Sequence, residues 1–384
     1  MHSVRFGFVP LLDAAPIIAA FELGFYKDEG IDAQLERQIG WANVRDKLVY
    51  GHLDISSTLL GMPPLSRIER DTFPEPLVSL MNLGAGGNNI TLAKSLFDSS
   101  VGIDMSSPWS AALSIYRQVQ VRGLSRPLRL AHVFNCSMHH YLLRNWLSSG
   151  GINPDTDVKL STLPPQQMAR QLEMNCLDGF CAGEPWGTLA EQQDCGKIAV
   201  VSTELLPDHP EKILAVSDRW LKLNQSVVQG LVRGTLRGCG YVSDPSNTAE
   251  LSSILSKPQY LSIPAELVSR SLTASDWFLR SCRKLTEPVR SFSPKSTFPS
   301  LTHAAWLLSQ MKRWKHIPAT TDELLIARES TNSEPYRHAA ASLGIECPAD
   351  DMPPMRLTEG WARAEHFLSP SAAKLQTVAA GQAL

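Results

Sequence analysis

The stretch Leu128–Gly151, LRLAHVFNCSMHHYLLRNWLSSGG, decides the fold class. Leu128 to Phe134 is an apolar run of strand length. Ser137 is placed to cap a helix over Met138 to Leu147, and Gly150-Gly151 ends that helix. This is one βα unit, and the pattern recurs on both sides of it. Towards the N-terminus, Val4 to Val9 reads as a strand. Asp13 then reads as the cap of a helix with Pro16 in its first turn and Gly24 near its end. Ile31 to Arg37 is a strand, Ala42 to Tyr50 a helix stopped by Gly51, and Leu53 to Ser57 a strand. Pro76 to Leu83 is another strand, followed by Gly84-Ala85-Gly86-Gly87-Asn88-Asn89.

Towards the C-terminus, Asp157 to Leu160 is a strand and Pro165 opens a helix reaching Met174. Gly179 to Ala182 is a short strand ending in Gly183-Glu184-Pro185-Trp186, and Lys197 to Val201 is a strand. Beyond residue 215 the pattern turns helical: Gln225 to Val242, Thr248 to Leu255, Ala265 to Ser271 and Leu301 to Arg313. Thr286 to Ser300 and Pro348 to Pro354 read as loops, and roughly the last fifteen residues as a frayed tail. Strand–helix alternation predicts an α/β protein with largely parallel sheets. Two such series followed by helices predict two lobes with a ligand cleft between them and a helical C-terminal extension. The expected lobes are 1–92 plus 204–300 and 93–203, with 301–384 packing on the first. The crossings are expected near Thr91 to Ala93 and Val201 to Thr203.

The formal net charge of −2 gives no basic surplus for gripping nucleic acid phosphates. The local run Lys312-Arg313-Trp314-Lys315-His316 reads as a cationic helix C-terminus. No apolar run approaches the roughly 18–20 residues needed to span a bilayer. The chain opens directly into a strand without a leader pattern, so a cytoplasmic location is expected. The seven cysteines, Cys136, Cys176, Cys181, Cys195, Cys239, Cys282 and Cys347, are odd in number and contain no C-x-x-C pair. Free thiols are expected, and no metal site.

Two kinds of chemistry can be weighed. Cys136 stands beside His139 and His140 at a helix start, where a thiol can become nucleophilic, but no third group is identifiable. Glu184 suits either a general base or a carboxylate orienting a neighbouring His or Lys. Nucleotide-binding, metalloprotease and nucleophile-elbow motifs are absent from the sequence, so no catalytic role and no cofactor are expected. Anion binding has more candidates, because several residues follow strands or open helices, where α/β proteins place ligands. Trp41 precedes one helix, Asn88 follows a strand, His139 lies in a first helical turn and Pro165 opens a helix. Lys212, in His209-Pro210-Glu211-Lys212, would by default be an exposed lysine.

Five segments together resemble the nitrate- and bicarbonate-binding proteins of bacterial ABC importers. They are Ile39–Leu48, Trp146–Asp155, Pro164–Met168, Cys181–Trp186 and His209–Lys212. The W-L-x-x-G-G-I-x-P-D and G-E-P-W segments are the specific ones, and the likeness runs from about residue 4 to residue 346. It implies the two-lobed, type II periplasmic-binding-protein fold. With no leader, the better likeness is to the cytoplasmic NasS-type nitrate/nitrite sensors. In that branch the sensor holds an ANTAR-domain, response-regulator-type antiterminator (NasT type) and releases it on binding the anion. The resemblance places ligand contacts on Trp41, His139, Pro165 and Lys212. A further contact falls on Asn88 or Asn89, a methylene shorter than the importer glutamine. Glu184, inside the G-E-P-W motif, joins the binding set. Lys212 would be the compensating cation. The expected function is therefore a nitrate or nitrite sensor with a protein partner and no catalytic, nucleic-acid or membrane role. The alternatives are the binding component of an importer and an enzyme of the thiamine-pyrimidine-synthase type.

Overall fold

The computed structural model describes residues 1–123, 125–273, 290–349, 351–352 and 361. Cys282, the first part of the Thr286–Ser300 loop, Pro353 and Pro354, and the tail lie outside the described residues.

Two five-stranded sheets organise the chain. The first is built from β1 (His2–Phe8), β2 (Ile31–Arg37), β3 (Ile55–Leu59) and β4 (Leu77–Asn82). A two-residue β5 (Ala85–Gly86) follows. The second sheet takes β6 (Asn88–Ala93), β7 (Leu128–His132), β8 (Val158–Thr162), β9 (Gly179–Gly183) and β10 (Gly196–Val201). The chain then returns: β11 (Lys212–Ser217) joins the first sheet, giving the order β2-β1-β3-β11-β4. The second sheet has the order β10-β6-β9-β7-β8. A short β12 (Arg290–Ser291) pairs with β5.

Neighbours β1, β2 and β3 run parallel, as do β7, β8 and β9, which is what crossover helices impose. The two strands that enter a sheet directly after a crossing, β6 and β11, run antiparallel to their neighbours. The first crossing therefore falls between Leu83 and Gly87, earlier than the expected Thr91–Ala93, because β6 lies wholly in the second sheet. The second spans residues 202–211.

Several motif residues are explained by packing alone. Trp146 is fully buried and its indole N–H donates to Pro108 O at 2.9 Å. Truncating such a residue costs about 3–5 kcal/mol. A Cβ on Gly150 would sit 2.6 Å from the Ala112 backbone, and Gly151 has φ +88°. Trp146-x-x-x-Gly150-Gly151 is thus a helix-packing motif.

The C-terminal helices do not rest on the first lobe alone. Tyr336, in the Glu334–Ser342 helix, joins Val228, Val232 and Leu236 of the Gln225–Ser243 helix in the core of the first sheet. The segment after the Leu301–Arg313 helix instead reaches the second lobe. Trp314 lies under the Arg144 guanidinium at 4.1 Å, and Tyr141 Oη and His316 Nδ1 are 2.9 Å apart. Among the described residues no helix is long and apolar enough to cross a membrane.

Candidate functional site

Strand ends and crossings deliver the site. Trp41 is the first residue of the Trp41–Val49 helix that follows β2. His139 is the second residue of the Met138–Ser149 helix after β7, capped by Ser137, whose side chain accepts from the His140 N–H. Asn88 and Lys212 are the first residues of the two crossing strands, β6 and β11. All four meet where the two sheets face each other, and each is at most 2% exposed. This is the topological position at which open α/β sheets bind ligands.

The charges are close together. Lys212 Nζ lies 3.2 Å from Asp13 Oδ2, 3.7 Å from Glu211 Oε1 and 3.5 Å from His139 Nε2. His139 Nδ1 lies 3.0 Å from Glu211 Oε1. The Asn88 amide donates to Glu211 Oε2 at 2.9 Å. Arg290 reaches in from β12, donating to Asp13 Oδ1 at 2.8 Å and to the Gly87 carbonyl at 3.1 Å. The Trp41 ring lies 5.8 Å from Lys212 Nζ, and among the described residues its buried indole N–H has no hydrogen-bond partner. Asn88 Oδ1 is likewise buried and unpaired.

Burial alone would raise the Asp13 carboxyl, but Arg290 and Lys212 outweigh it and hold the group below its ordinary range. Glu211 is held low in the same way by His139 and Lys212 against burial. Burial, reinforced by Lys212, lowers His139 against the pull of Glu211. The buried His209 imidazole is pushed down to about 4. Near neutral pH the cluster is therefore two carboxylates, two cations and neutral imidazoles.

The structure corrects several expectations. Asp13 does not cap a helix: the Ala15–Glu22 helix has no side-chain cap, and Asp13 is a buried ion-pair partner. Lys212 is fully buried and shares the site with a second cation, Arg290, so it is not the sole compensating charge. Of the two asparagines, Asn88 joins the cluster, whereas the Asn89 amide donates to Glu184 Oε1 at 3.0 Å.

Glu184 turns away from Lys212. Its carboxylate accepts from Asn89, from the Thr188 hydroxyl at 2.9 Å and from the Thr188 N–H at 3.2 Å. Burial raises it to about 7 despite the Thr188 bonds, so it is a positioning group that pins β6 to the helix start after β9. Gly183 before it is constrained by space, since a Cβ there would lie 3.2 Å from Asp13 Oδ2 and 3.3 Å from Asn88 Oδ1. Pro165 opens the Pro165–Glu173 helix and is buried, with no polar contact to the cluster. Its neighbours close the lobes: Gln166 donates to Ile39 O at 2.6 Å, and Pro164 faces Gly40. The Trp186 indole also crosses, donating to Pro10 O at 3.2 Å. Cys136 is buried, its thiol pushed up by burial, which removes the nucleophile reading.

Sequence reasoning missed Asp13, Glu211 and Arg290. A lone acid in the apolar run Phe6–Ile18 was the available signal for Asp13, because a buried carboxylate demands a cation. Glu211 was visible only as the neighbour of Lys212. Nothing local marked Arg290. A separate cavity of about 850 Å³, lined by Leu236, Cys239, Leu251 and Phe292, meets the site at Arg290. Among the described residues no group of His, Cys, Asp or Glu is arranged to hold a metal ion.

Residues 1–256 match the NMT1-like family. The nitrate/nitrite binding protein NrtA of Synechococcus elongatus is 30% identical over 363 residues, covering 91% of this chain and 81% of that protein. The bicarbonate transport ATP-binding protein CmpC of the same organism is 32% identical over 347 residues, covering 89% of this chain. The chain spans about half the length of CmpC, 50%. The crystal structure of the periplasmic nitrate-binding protein NrtA from Synechocystis PCC 6803 superposes with a TM-score of 0.84 at 26% identity. It covers 96% of this chain and 98% of its own.

Proposed function

The chain belongs to the NMT1-like family, and from that premise we propose that it binds a small monovalent oxyanion, nitrate or nitrite, between its lobes. The observation that carries this reading is the convergence of Lys212, His139, Asn88 and the Trp41 indole from both lobes onto one buried point. Nitrate has acceptor oxygens only, so it needs N–H donors. Lys212 Nζ and the His139 ring are such donors. The flat indole walls a flat ion. The likeness to NrtA over most of both chains supports the choice of ligand. No catalytic step is assigned to the cluster.

Binding of this kind serves as the solute-capturing component of an importer, and the named relatives support that use. The narrower proposal is the sensor: a cytoplasmic NasS-type protein that holds an ANTAR-domain antiterminator in the open form and releases it when the lobes close on the anion. The motifs Trp146–Asp155 and Cys181–Trp186 support the broad likeness, and the sensor use is carried by the resemblance alone. Calorimetric titration with nitrate, nitrite, bicarbonate and sulfate tests the site. Saturable nitrate or nitrite binding is expected, and binding of bicarbonate alone would overturn the ligand. Repeating the titration with the antiterminator present tests the sensor. Linkage requires the partner to weaken anion affinity by the factor by which the anion weakens the partner's. Equal anion affinities with and without the partner would overturn release.

A further inference from the structure

We infer that the site takes up its monoanion together with one proton, and that His139 carries it. The inference rests on the anion-binding reading above and adds the charge bookkeeping that such a site must obey.

The charges around His139 come from every element packed on it. Glu211 lies at its Nδ1 and Lys212 near its Nε2. Asp13, in the turn after β1, holds Lys212 Nζ at 3.2 Å, and Arg290 from β12 holds Asp13 at 2.8 Å. His209, just before β11, and His132, at the end of β7, are buried imidazoles lowered to about 4 and about 3, hence neutral. Burial keeps the Cys136 and Cys181 thiols neutral as well. On the helix of His139 itself, Arg144 is paired with Asp155 at 2.6 Å, and burial keeps His140 neutral. Among the described residues two carboxylates and two cations then cancel, with His139 neutral.

Adding a monoanion leaves this enclosed cluster one charge negative, which a site with side chains at most 7% exposed does not tolerate without compensation. Exchanging partners changes nothing: an anion that displaces Asp13 from Lys212 leaves the same sum. His139 is the neutral group placed to correct it. In the free protein Nδ1 lies 3.0 Å from Glu211 Oε1 without forming a hydrogen bond, while Nε2 lies 3.5 Å from Lys212 Nζ and can accept from it. With a proton added at Nε2, the ring becomes a cation that faces Glu211 at 3.0 Å on one side and donates to the ligand on the other. The site is thereby selective for monoanions, because sulfate brings two charges and the ring supplies one proton.

The sign follows. Burial and Lys212 hold His139 below its ordinary value in the free protein, and a bound anion raises it. Between those two values each bound anion takes up one proton, and affinity falls about tenfold per pH unit as pH rises. Below the lower value His139 is already charged and affinity is at its plateau.

The test is calorimetric titration of the full chain with sodium nitrate near neutral pH in phosphate and in Tris, whose ionisation enthalpies differ. The observed enthalpy should differ between the buffers by an amount corresponding to close to one proton taken up per nitrate. In Glu211→Gln the cluster is already one charge positive, so the buffer difference should shrink towards zero and the affinity should lose its pH dependence. Nitrate binding with identical enthalpies in both buffers would overturn the proton uptake and leave the anion site standing. A wild-type difference that persists in Glu211→Gln would overturn the charge balance as its cause. No nitrate binding at any pH would overturn the site reading and this inference with it.

Discussion

Replacing Lys212 by Met keeps most of the buried volume and removes the charge, so its effect can be worked from the contacts. The variant loses one donor to the ligand and turns a balanced cluster into one with a charge of −1. A hydrogen bond to a charged group contributes about 1.5–3 kcal/mol. At about 1.4 kcal/mol per decade, nitrate affinity should fall by about ten- to a hundredfold. The fold also suffers, because Asp13 and Glu211 lose a buried partner. The cost should sit at the low end of the roughly 3–5 kcal/mol seen when a buried pair is broken, since Arg290 still holds Asp13. Circular dichroism and a thermal scan establish that the variant is folded, and calorimetry then reads the affinity. A folded Lys212→Met protein that binds nitrate as tightly as wild type would refute the placement of the anion.

The remaining predictions address closure, pH and the C-terminal segment. A Cβ on Gly61 would lie 2.2 Å from the Cys136 carbonyl oxygen across the lobe contact, so Gly61→Ala should hold the lobes apart. Small-angle scattering should show a more open particle and calorimetry at least about tenfold weaker nitrate binding, with each lobe's secondary structure retained. Burial raises Glu184 from 4.5 to about 7, so its stabilising protonated form is fully present below the lower value and lost as pH rises through the higher. Wild-type stability minus that of Glu184→Gln should therefore fall by about 3 kcal/mol between those values, measured by urea unfolding at several pH values. Trp314→Ala removes the ring under Arg144 and should raise protease cutting after residue 300, with little change in nitrate affinity.

What was legible in the sequence follows from the range of the interactions. The unit over Leu128–Gly151, the strand Ile31–Arg37 and the helix Leu301–Arg313 rest on apolar spacing, caps and glycine stops, and these are local. The crossing strands were harder. β6 starts inside a Gly- and Asn-rich run that reads as a loop, and β11 begins at the charged pair Glu211-Lys212. Their strand character comes from pairing with β9 and β10, and with β3 and β4, far away in the chain. The site divides in the same way. Trp41, His139 and Lys212 could be singled out by their positions beside elements and by the motifs around them. Asp13 and Arg290 enter through an ion pair spanning 277 residues, which no local pattern announces. Glu184 shows the limit of motif reasoning: its segment is specific, yet its carboxylate holds the scaffold and does not face Lys212.

A crystal structure grown with nitrate tests the central claim most directly. One planar anion is expected in the closed inter-lobe site, within hydrogen-bonding distance of Lys212 Nζ and His139 Nε2 and with a face against the Trp41 ring. Nitrate bound elsewhere, with the Lys212–Asp13 and His139–Glu211 contacts undisturbed and no anion between the lobes, would contradict it.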